Sequence, residues 1–386
     1  MLTLKNGYVN KIHIELILKR GEKEMQTVKR EKKRSLRAIL LILLIVAVIL
    51  IGSTYAWFIS NNTAKVSTLN VKIETVEGLQ ISVDATNWKS TITNEDILGA
   101  GATYSGAVNQ LPSILKPVST AGAGYITNSK QDMYTVNAMD TTSTNADDVG
   151  RKVIVAEKAT DVMGETGQYI TFDVFFNLQS SSARDLHLTG SSGVKWDEER
   201  AKNDTNSAYQ TDKGLQNATR VSFLVMNNAA AADAATAQGW TYAEGTSQFF
   251  LWEPNADQHT TAAIENAAGE KPYDVPHYDR TDLEGATKKI PLPYSGIKAN
   301  IAQADNVFFY KAATANYAAK LGAVTPNIIT NAANTEKKKL ITLKPGVTKM
   351  RIYMWLEGQD VDCFTGASGT YLNFDLQFQV DTATGV

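Results

Sequence analysis

Two acidic turns carry the side chains best suited to bind a metal ion. The first, LWEPNADQH, offers Glu253, Asn255 and Asp257, and the second, WLEGQDVDC, offers Glu357, Asp360 and Asp362. Each turn follows an apolar stretch, and carboxylate and amide oxygens at such spacings are ligands that Ca²⁺ accepts. Neither turn has the full pattern of a calcium-binding loop, so the favoured interpretation is an acidic turn exposed to solvent. We therefore expect no cofactor, and Ca²⁺ is the alternative that the sequence leaves open.

The sequence contains none of the common catalytic signatures. There is no H-E-x-x-H zinc-peptidase motif, no G-x-S-x-G nucleophile turn and no glycine-rich phosphate loop. His187 lies in the alternating segment RDLHLT, which favours a structural role. Cys363, the one cysteine, is interpreted as a small buried apolar residue. We therefore expect this protein not to be an enzyme.

β-Strands are predicted to position the acidic turns. In YLNFDLQFQV, apolar residues alternate strictly with polar ones, a period of two that is typical of a strand buried on one face. The predicted inward set is Leu372, Phe374, Leu376, Phe378 and Val380. KMRIYMWLEG alternates in the same way, with Ile352, Met354 and Leu356 on one face and Tyr353 and Trp355 on the other.

Further strands are predicted along the whole chain, separated by long polar stretches. The strands are YITFDVFFNLQ, LNVKIETV, LQISVDA, RKVIVAE, RDLHLT, ATRVSFLVM and QFFLW, and the polar stretches cover residues 85–150, 190–218, 228–247 and 254–339. Structureless loops of that length are uncommon in compact domains, so we expect short helices in NNAAAADAATAQ, YKAATANYAAKLG and VKWDEERAKN. The predicted fold is all-β, an antiparallel β-sandwich with long loop insertions and a few short helices.

An export signal is predicted near the amino end. Residues 38–51 are fourteen consecutive apolar side chains that follow a basic segment and precede the small residues Thr54 and Ala56. This order describes a secretory signal peptide cut between Ala56 and Trp57. The alternative is a retained membrane anchor, although a span needs about 20 apolar residues. We expect residues 1–24 to precede a true start at Met25, residues 25–56 to be the signal peptide, and residues 57–386 to be the extracellular domain.

Charge and cysteine usage narrow the class of protein. Eleven of the 38 basic and four of the 40 acidic residues lie in residues 1–56, so residues 57–386 carry a formal net charge of −9. An acidic surface argues against nucleic acid as a partner, and we expect contact with a membrane only in the precursor. With one cysteine the chain forms no internal disulfide, which is typical of a large bacterial surface protein rather than a small secreted animal domain.

The segment TYAWFISNNTAKVSTLNVKIE resembles exported Firmicutes proteins of the TasA/camelysin type. The resemblance covers residues 36–75 and implies processing by a SipW-type signal peptidase, a jelly-roll-like β-sandwich, and a place in the biofilm matrix at the surface of a Gram-positive-type bacterium. It also implies self-association into fibres, in which the freed amino-terminal segment, here Trp57 to about Glu74, adds a strand to the next subunit. Some camelysins are described as metallopeptidases, but this chain has no zinc motif, so that activity is not carried over.

The donor strand is predicted to act through a few apolar side chains. These are Trp57, Phe58, Leu69, Val71 and Ile73. A competing hypothesis has the same strand pairing within its own subunit. A second function also stays open, in which the protein is a cell-surface adhesin or carbohydrate-binding protein whose long loops form the ligand site.

Overall fold

Strands make up most of the described chain. The computed structural model describes residues 63–74, 78–120, 126–140, 152–229, 233–255, 336–358 and 367–381, together with residues 258, 260, 360, 362 and 363 and short strands between 277 and 329. The strands are β1 (Ala64–Ile73), β2 (Leu79–Ser82), β3 (Thr91–Ile92), β4 (Ile114–Leu115), β5 (Pro117–Thr120), β6 (Ile126–Thr127), β7 (Lys130–Gln131), β8 (Met133–Asp140), β9 (Lys152–Ala159), β10 (Ile170–Leu178), β11 (Arg184–Leu188), β12 (Gly193–Trp196), β13 (Thr219–Ala229), β14 (Gln248–Glu253), β15 (His277–Arg280), β16 (Lys288–Pro291), β17 (Ser295–Ile297), β18 (Val307–Tyr310), β19 (Leu321–Ala323), β20 (Ile328–Ile329), β21 (Lys338–Leu343), β22 (Gly346–Glu357) and β23 (Thr370–Val380).

Within the described residues, most strands belong to two sheets. The first sheet has the order β21-β11-β23-β1-β3, with β12 also paired to β23 and β4 to β1. The second has the order β18-β9-β8-β5-β22-β13-β14-β20, with β10 also paired to β22 and β2 to β10. The prediction of an all-β sandwich is confirmed. Most pairs are antiparallel, but β1–β23, β5–β22 and β14–β20 are parallel.

The apolar faces of the two sheets form the main core. The five predicted inward residues of β23 are fully buried, while the polar residues between them are half-buried, so the predicted alternation is confirmed. The ring of Phe378 on the first sheet lies edge-on to Phe176 and Phe223 on the second, with centroids 5.1 and 6.2 Å apart. Such edge-to-face contacts stabilise the core beyond the area that the rings bury.

The second sheet differs from the prediction because both of its faces are buried. Ile352, Met354 and Leu356 of β22 face the main core as predicted, but Tyr353 and Trp355 on the opposite face are also fully buried. They belong to a second apolar cluster that includes Val118, Met133, Tyr169, Leu224 and Leu251. Val118 of β5 and Met133 of β8 come from the polar stretch 85–150, so part of that stretch forms strands of this same sheet.

Short helices occupy parts of the polar stretches. They are α1 (Asn94–Gly99), α2 (Glu198–Lys202) and α3 (Ala234–Gln238). The helices predicted in VKWDEERAKN and NNAAAADAATAQ are confirmed as α2 and α3, and the one predicted in YKAATANYAAKLG lies largely outside the described residues. Helix α1 was missed, although Thr93 and Asp96 form a capping box that the sequence pattern T-x-x-D indicates.

We expect Phe374→Ala to destabilise the domain strongly. Phe374 is fully buried in the main core, and its truncation should lower the free energy of unfolding by about 3–5 kcal/mol. The control is Gln379→Ala on the half-buried face of the same strand, which should change stability by less than about 0.5 kcal/mol. Urea unfolding curves measure both, and equal losses would contradict the orientation of β23.

Candidate functional site

Strand β1, which contains the predicted donor residues, lies inside the first sheet. It pairs in parallel with β23 from Ala64↔Thr370 to Ile73↔Phe378, and antiparallel with β3 and β4 on its other side. Leu69, Val71 and Ile73 are buried in the main core. In the single chain, β1 therefore completes the sheet of its own subunit, and donation to a neighbour stays a prediction.

The remaining residues of the predicted processing and donor segment are not described. Ala56, Trp57 and Phe58 lie outside the described residues, as does the apolar run 38–51. Within the residues that are described, no helix has both the length and the apolar character needed to cross a bilayer.

Polar contacts hold the beginning of β1. Lys65 Nζ donates to Asp204 Oδ2 at 3.0 Å and to Tyr371 Oη at 3.1 Å, and Tyr371 Oη donates to the same carboxylate oxygen at 2.6 Å. The ammonium group also lies 3.9 Å from the centroid of the Tyr209 ring. The hydrogen bond from Tyr371, with others from the Asn206 backbone and Lys65, lowers the pKa of Asp204 to about 2. We call Lys65, Asp204, Tyr209 and Tyr371 the Lys65 latch.

The two acidic turns predicted to bind calcium meet around an arginine. Arg220 of β13 is fully buried, and its guanidinium donates through Nη2 to Asp360 Oδ2. The same nitrogen lies 3.1 Å from Glu253 Oε1, and Nη1 donates to the carbonyl oxygens of Asn217 and Thr219 at 3.0 and 2.7 Å. The positive charge between the turns is thus supplied by the chain itself. We call Arg220, Glu253 and Asp360 the Arg220 cluster.

Other residues of the predicted calcium turns also have protein partners. Asp362 Oδ1 accepts from the backbone nitrogen and hydroxyl of Thr260 at 3.0 and 2.8 Å, and Glu357 Oε2 accepts from Trp355 Nε1 at 3.0 Å. Asn255 Nδ2 donates to the carbonyl oxygen of Val194 at 2.8 Å. Asp257 lies outside the described residues. Glu357 and Asp362 are buried and Asn255 is half-buried, and all three are bonded to other parts of the fold. A calcium site there stays a prediction.

A second buried ionic network lies on the outer face of the second sheet. Arg351 donates to Asp173 through two nitrogens, Nε to Oδ1 at 2.6 Å and Nη2 to Oδ2 at 2.9 Å, and Tyr104 Oη donates to Oδ2 at 2.8 Å. Lys349 Nζ lies 3.7 Å from Asp173 Oδ2 and donates to Tyr104 Oη at 2.9 Å. Burial by itself would raise the pKa of Asp173, but the charge of Arg351 outweighs it and holds that pKa below its usual value. Burial lowers the pKa of Lys349 despite the attraction of Asp173. The sequence signal for this network is a charged residue, such as Asp173, in the middle of an otherwise apolar strand.

An acidic and histidine cluster lies on the first sheet. Side-chain ligand atoms of Asp185, His187 and Asp381 all lie within 4.8 Å of one another, and His187 Nε2 is 3.0 Å from Asp381 Oδ2. Lys339 Nζ is 2.7 Å from Asp185 Oδ2 and already supplies a cation. The sequence places Asp185 and His187 two apart on β11, but Asp381 joins them only through the pairing of β11 with β23.

A polar pocket of about 290 Å³ opens beside the Arg220 cluster. Thr189 and Trp196 line it from the ends of β11 and β12, and Asp212, Gln216 and Asn255 line it from the following loops. Of the residues predicted as metal ligands, Asn255 is the one that the structure places here. No sequence motif joins these residues, because their contact depends on how the loops fold around β12.

We expect Arg220→Met to destabilise the protein by about 3–5 kcal/mol, because it leaves two buried carboxylates without their cation. Arg200→Met, on the exposed face of α2, is the matched control and should change stability by less than about 0.5 kcal/mol. Adding Glu253→Gln and Asp360→Asn to Arg220→Met should restore part of the loss, since the uncompensated charges disappear. Urea unfolding measures all of these variants, and equal stability of the two single variants would rule out a structural Arg220 cluster.

The contribution of Asp204 to the Lys65 latch should be present only above acidic pH. Because the pKa of Asp204 is lower in the folded protein than in the unfolded chain, its contribution is complete above about pH 4 and is lost as pH falls toward about 2. Asp204→Asn should therefore lower the urea midpoint at pH 7, and the difference from the parent should vanish near pH 2. Glu244→Gln, at an exposed site outside the latch, is the matched control for the loss of one carboxylate. A constant difference for Asp204→Asn at all pH values would contradict the latch.

Comparisons with known proteins return nothing for this chain. No family model matches the sequence, and neither the curated proteins nor the solved structures contain a match. The case for any function therefore depends on the geometry described above and on the resemblance within residues 36–75.

Proposed function

We propose that this protein is an exported structural subunit that assembles into extracellular fibres by donating β1 to a neighbouring subunit. The observation that carries the proposal is the position of β1. It is the first strand in the described chain, yet it lies between β23 and β3 and provides Leu69, Val71 and Ile73 to the main core.

The topology permits this exchange. No hairpin ties β1 to β23, because the pair is parallel and the two strands come from opposite ends of the described chain. After Ile73, residues 74–78 are the link between β1 and β2. A strand held on that side by one short connection can leave its own sheet and enter the same place in another copy without threading through a loop.

The contacts that β1 makes within its own subunit are also available between subunits, so assembly by strand exchange needs no separate interface. Burial of three large apolar side chains contributes roughly 5–9 kcal/mol before chain entropy is subtracted. The same burial, the same backbone pairing with β23 and the same Lys65 latch are available from a neighbour's β1. Protein concentration and the connection at residues 74–78 then decide between the closed subunit and the polymer.

The amino-terminal sequence supports export before assembly. A basic segment, fourteen apolar residues and a small-residue exit precede β1, and the resemblance to TasA/camelysin-type proteins lies in the same region. While the signal peptide tethers β1 to the membrane, donation is restricted, so cleavage between Ala56 and Trp57 would release the strand. The formal charge of −9 on residues 57–386 would keep subunits dispersed until specific pairing occurs.

Disulfide trapping tests strand donation directly. Lys72 and Gln377 face each other across the β1–β23 pair and are both half-buried. Chains carrying Lys72→Cys and differently tagged chains carrying Gln377→Cys, both with Cys363→Ala, are co-expressed and the exported protein is oxidised. If β1 is donated, a disulfide-linked heterodimer of the two tags appears on a non-reducing gel, because neighbouring strands place these positions within disulfide reach.

Two controls make the result decisive. Lys72→Cys paired with Glu199→Cys should give no heterodimer, because Glu199 is an exposed position on α2, which lies beside Tyr371 at the opposite end of β23 from Gln377. The double variant Lys72→Cys/Gln377→Cys in one chain reports where β1 lies. A series of disulfide-linked dimers, trimers and larger oligomers on a non-reducing gel supports donation. Cross-linked monomers, combined with no heterodimer from the mixed chains, would show that β1 belongs to its own subunit and would defeat the proposal.

A further inference from the structure

We propose that the polar pocket beside the Arg220 cluster binds a sugar ring of a neutral saccharide. Within the described residues, three buried polar atoms of its lining lack hydrogen-bond partners: Thr189 Oγ1, Trp196 Nε1 and Gln216 Oε1. Thr189 is only 8% exposed. Buried polar atoms are nearly always paired in folded proteins, so three such atoms around one pocket indicate a ligand with complementary groups.

The chemistry of the three atoms selects hydroxyl groups. The indole nitrogen of Trp196 only donates a hydrogen bond, the amide oxygen of Gln216 only accepts one, and the Thr189 hydroxyl does both. The Gln216 amide orientation is fixed, because its nitrogen lies 3.0 Å from each Asp212 carboxylate oxygen and donates to them. The ligand must therefore both donate and accept, which adjacent sugar hydroxyls do.

An inorganic or organic phosphate fits this set poorly. A phosphate monoester dianion offers acceptors only and hydrogen phosphate offers a single donor, and either would place two negative charges near the Asp212 carboxylate. The pocket lining contains one cationic side chain, Lys195, and one carboxylate, Asp212. The formal charge of the lining is therefore zero, and it offers no excess positive charge to an anion. The charge balance and the mixed donors and acceptors both favour an uncharged polyol.

Size and rigidity agree with a small ligand. The volume of about 290 Å³ lies at the lower end of the range of ligand pockets, about 300–1,000 Å³, which suits one or two sugar rings. Asn255 ties the walls together by donating to the carbonyl oxygens of Val194 and Gln216 at 2.8 and 3.2 Å. The indole of Trp196 adds a flat apolar surface of the kind that packs against a sugar ring.

The pocket and the proposed donor strand use different parts of the molecule. None of the lining residues belongs to β1, so a saccharide can bind whether β1 stays in its own subunit or is donated. The inference is therefore independent of fibre assembly, and its test can fail or succeed separately.

The test follows the indole ¹H–¹⁵N resonance of Trp196 in the purified protein. Glucose, galactose, N-acetylglucosamine and their β-1,4-linked disaccharides are titrated separately, with inorganic phosphate as the anion probe. We expect at least one saccharide to shift this resonance with saturation, and phosphate to leave it in place. Trp196→Phe, which identifies the resonance by its loss, and Thr189→Val should each weaken binding about tenfold or more when binding is measured by calorimetry.

Trp88→Phe is the matched control, since Trp88 packs half-buried against the main core and does not line the pocket. It should leave saccharide affinity unchanged, and unfolding curves verify that all three variants fold. The inference is overturned if no saccharide in the panel shifts the Trp196 resonance at millimolar concentration. It is also overturned if phosphate binds more tightly than the sugars, or if Thr189→Val and Trp196→Phe bind as well as Trp88→Phe.

Discussion

The alignment of the central strands of the second sheet depends on the bidentate ion pair between Asp173 and Arg351. The two residues face each other in register across β10 and β22, so their hydrogen bonds fix the alignment of the central strands. A shift by one residue would turn Arg351 into the main core and Met350 out of it. Because both faces of β22 are buried, neither charge can be compensated by water, and removal of one partner would leave the other buried and uncompensated.

The Arg220 cluster is a second set of buried charges that compensate one another, and it lies on β13, the strand next to β22. Arg220 on β13 attracts one carboxylate from the end of β14 and one from the turn after β22, and so joins two loops that the sequence separates widely. The arginine also donates to the carbonyl groups beside it, which holds the Leu215–Ala218 turn. That turn supplies Gln216 to the polar pocket. A buried ion pair therefore sets the position of a pocket wall.

Strand β1 links folding to the proposed assembly. Its side chains complete the main core, and its contacts with β23 are non-covalent along their whole length. The contacts that close one subunit are the contacts that would join two subunits, so the proposed fibre needs no additional binding surface. No residue of the pocket lining belongs to this strand, so the proposed strand donation and the proposed saccharide binding would use separate parts of the molecule.

The sequence by itself indicated many strands of the sandwich, because alternation with a period of two is a local property of a strand with one buried face. It missed β5, β8 and β12, which lie in stretches predicted to be polar connections. It identified the inward set of β23, the buried face of β22 and the short helices α2 and α3. It also identified the two acidic turns, but not Arg220 between them. Tertiary structure decided that Val118 and Met133, from the polar stretch 85–150, pack with Tyr353 and Trp355, and that β1 pairs in parallel with β23. The reason is that burial of a second face and the pairing of charges depend on residues such as Asp173 and Arg351, which are 178 positions apart and meet only after the sheets have formed.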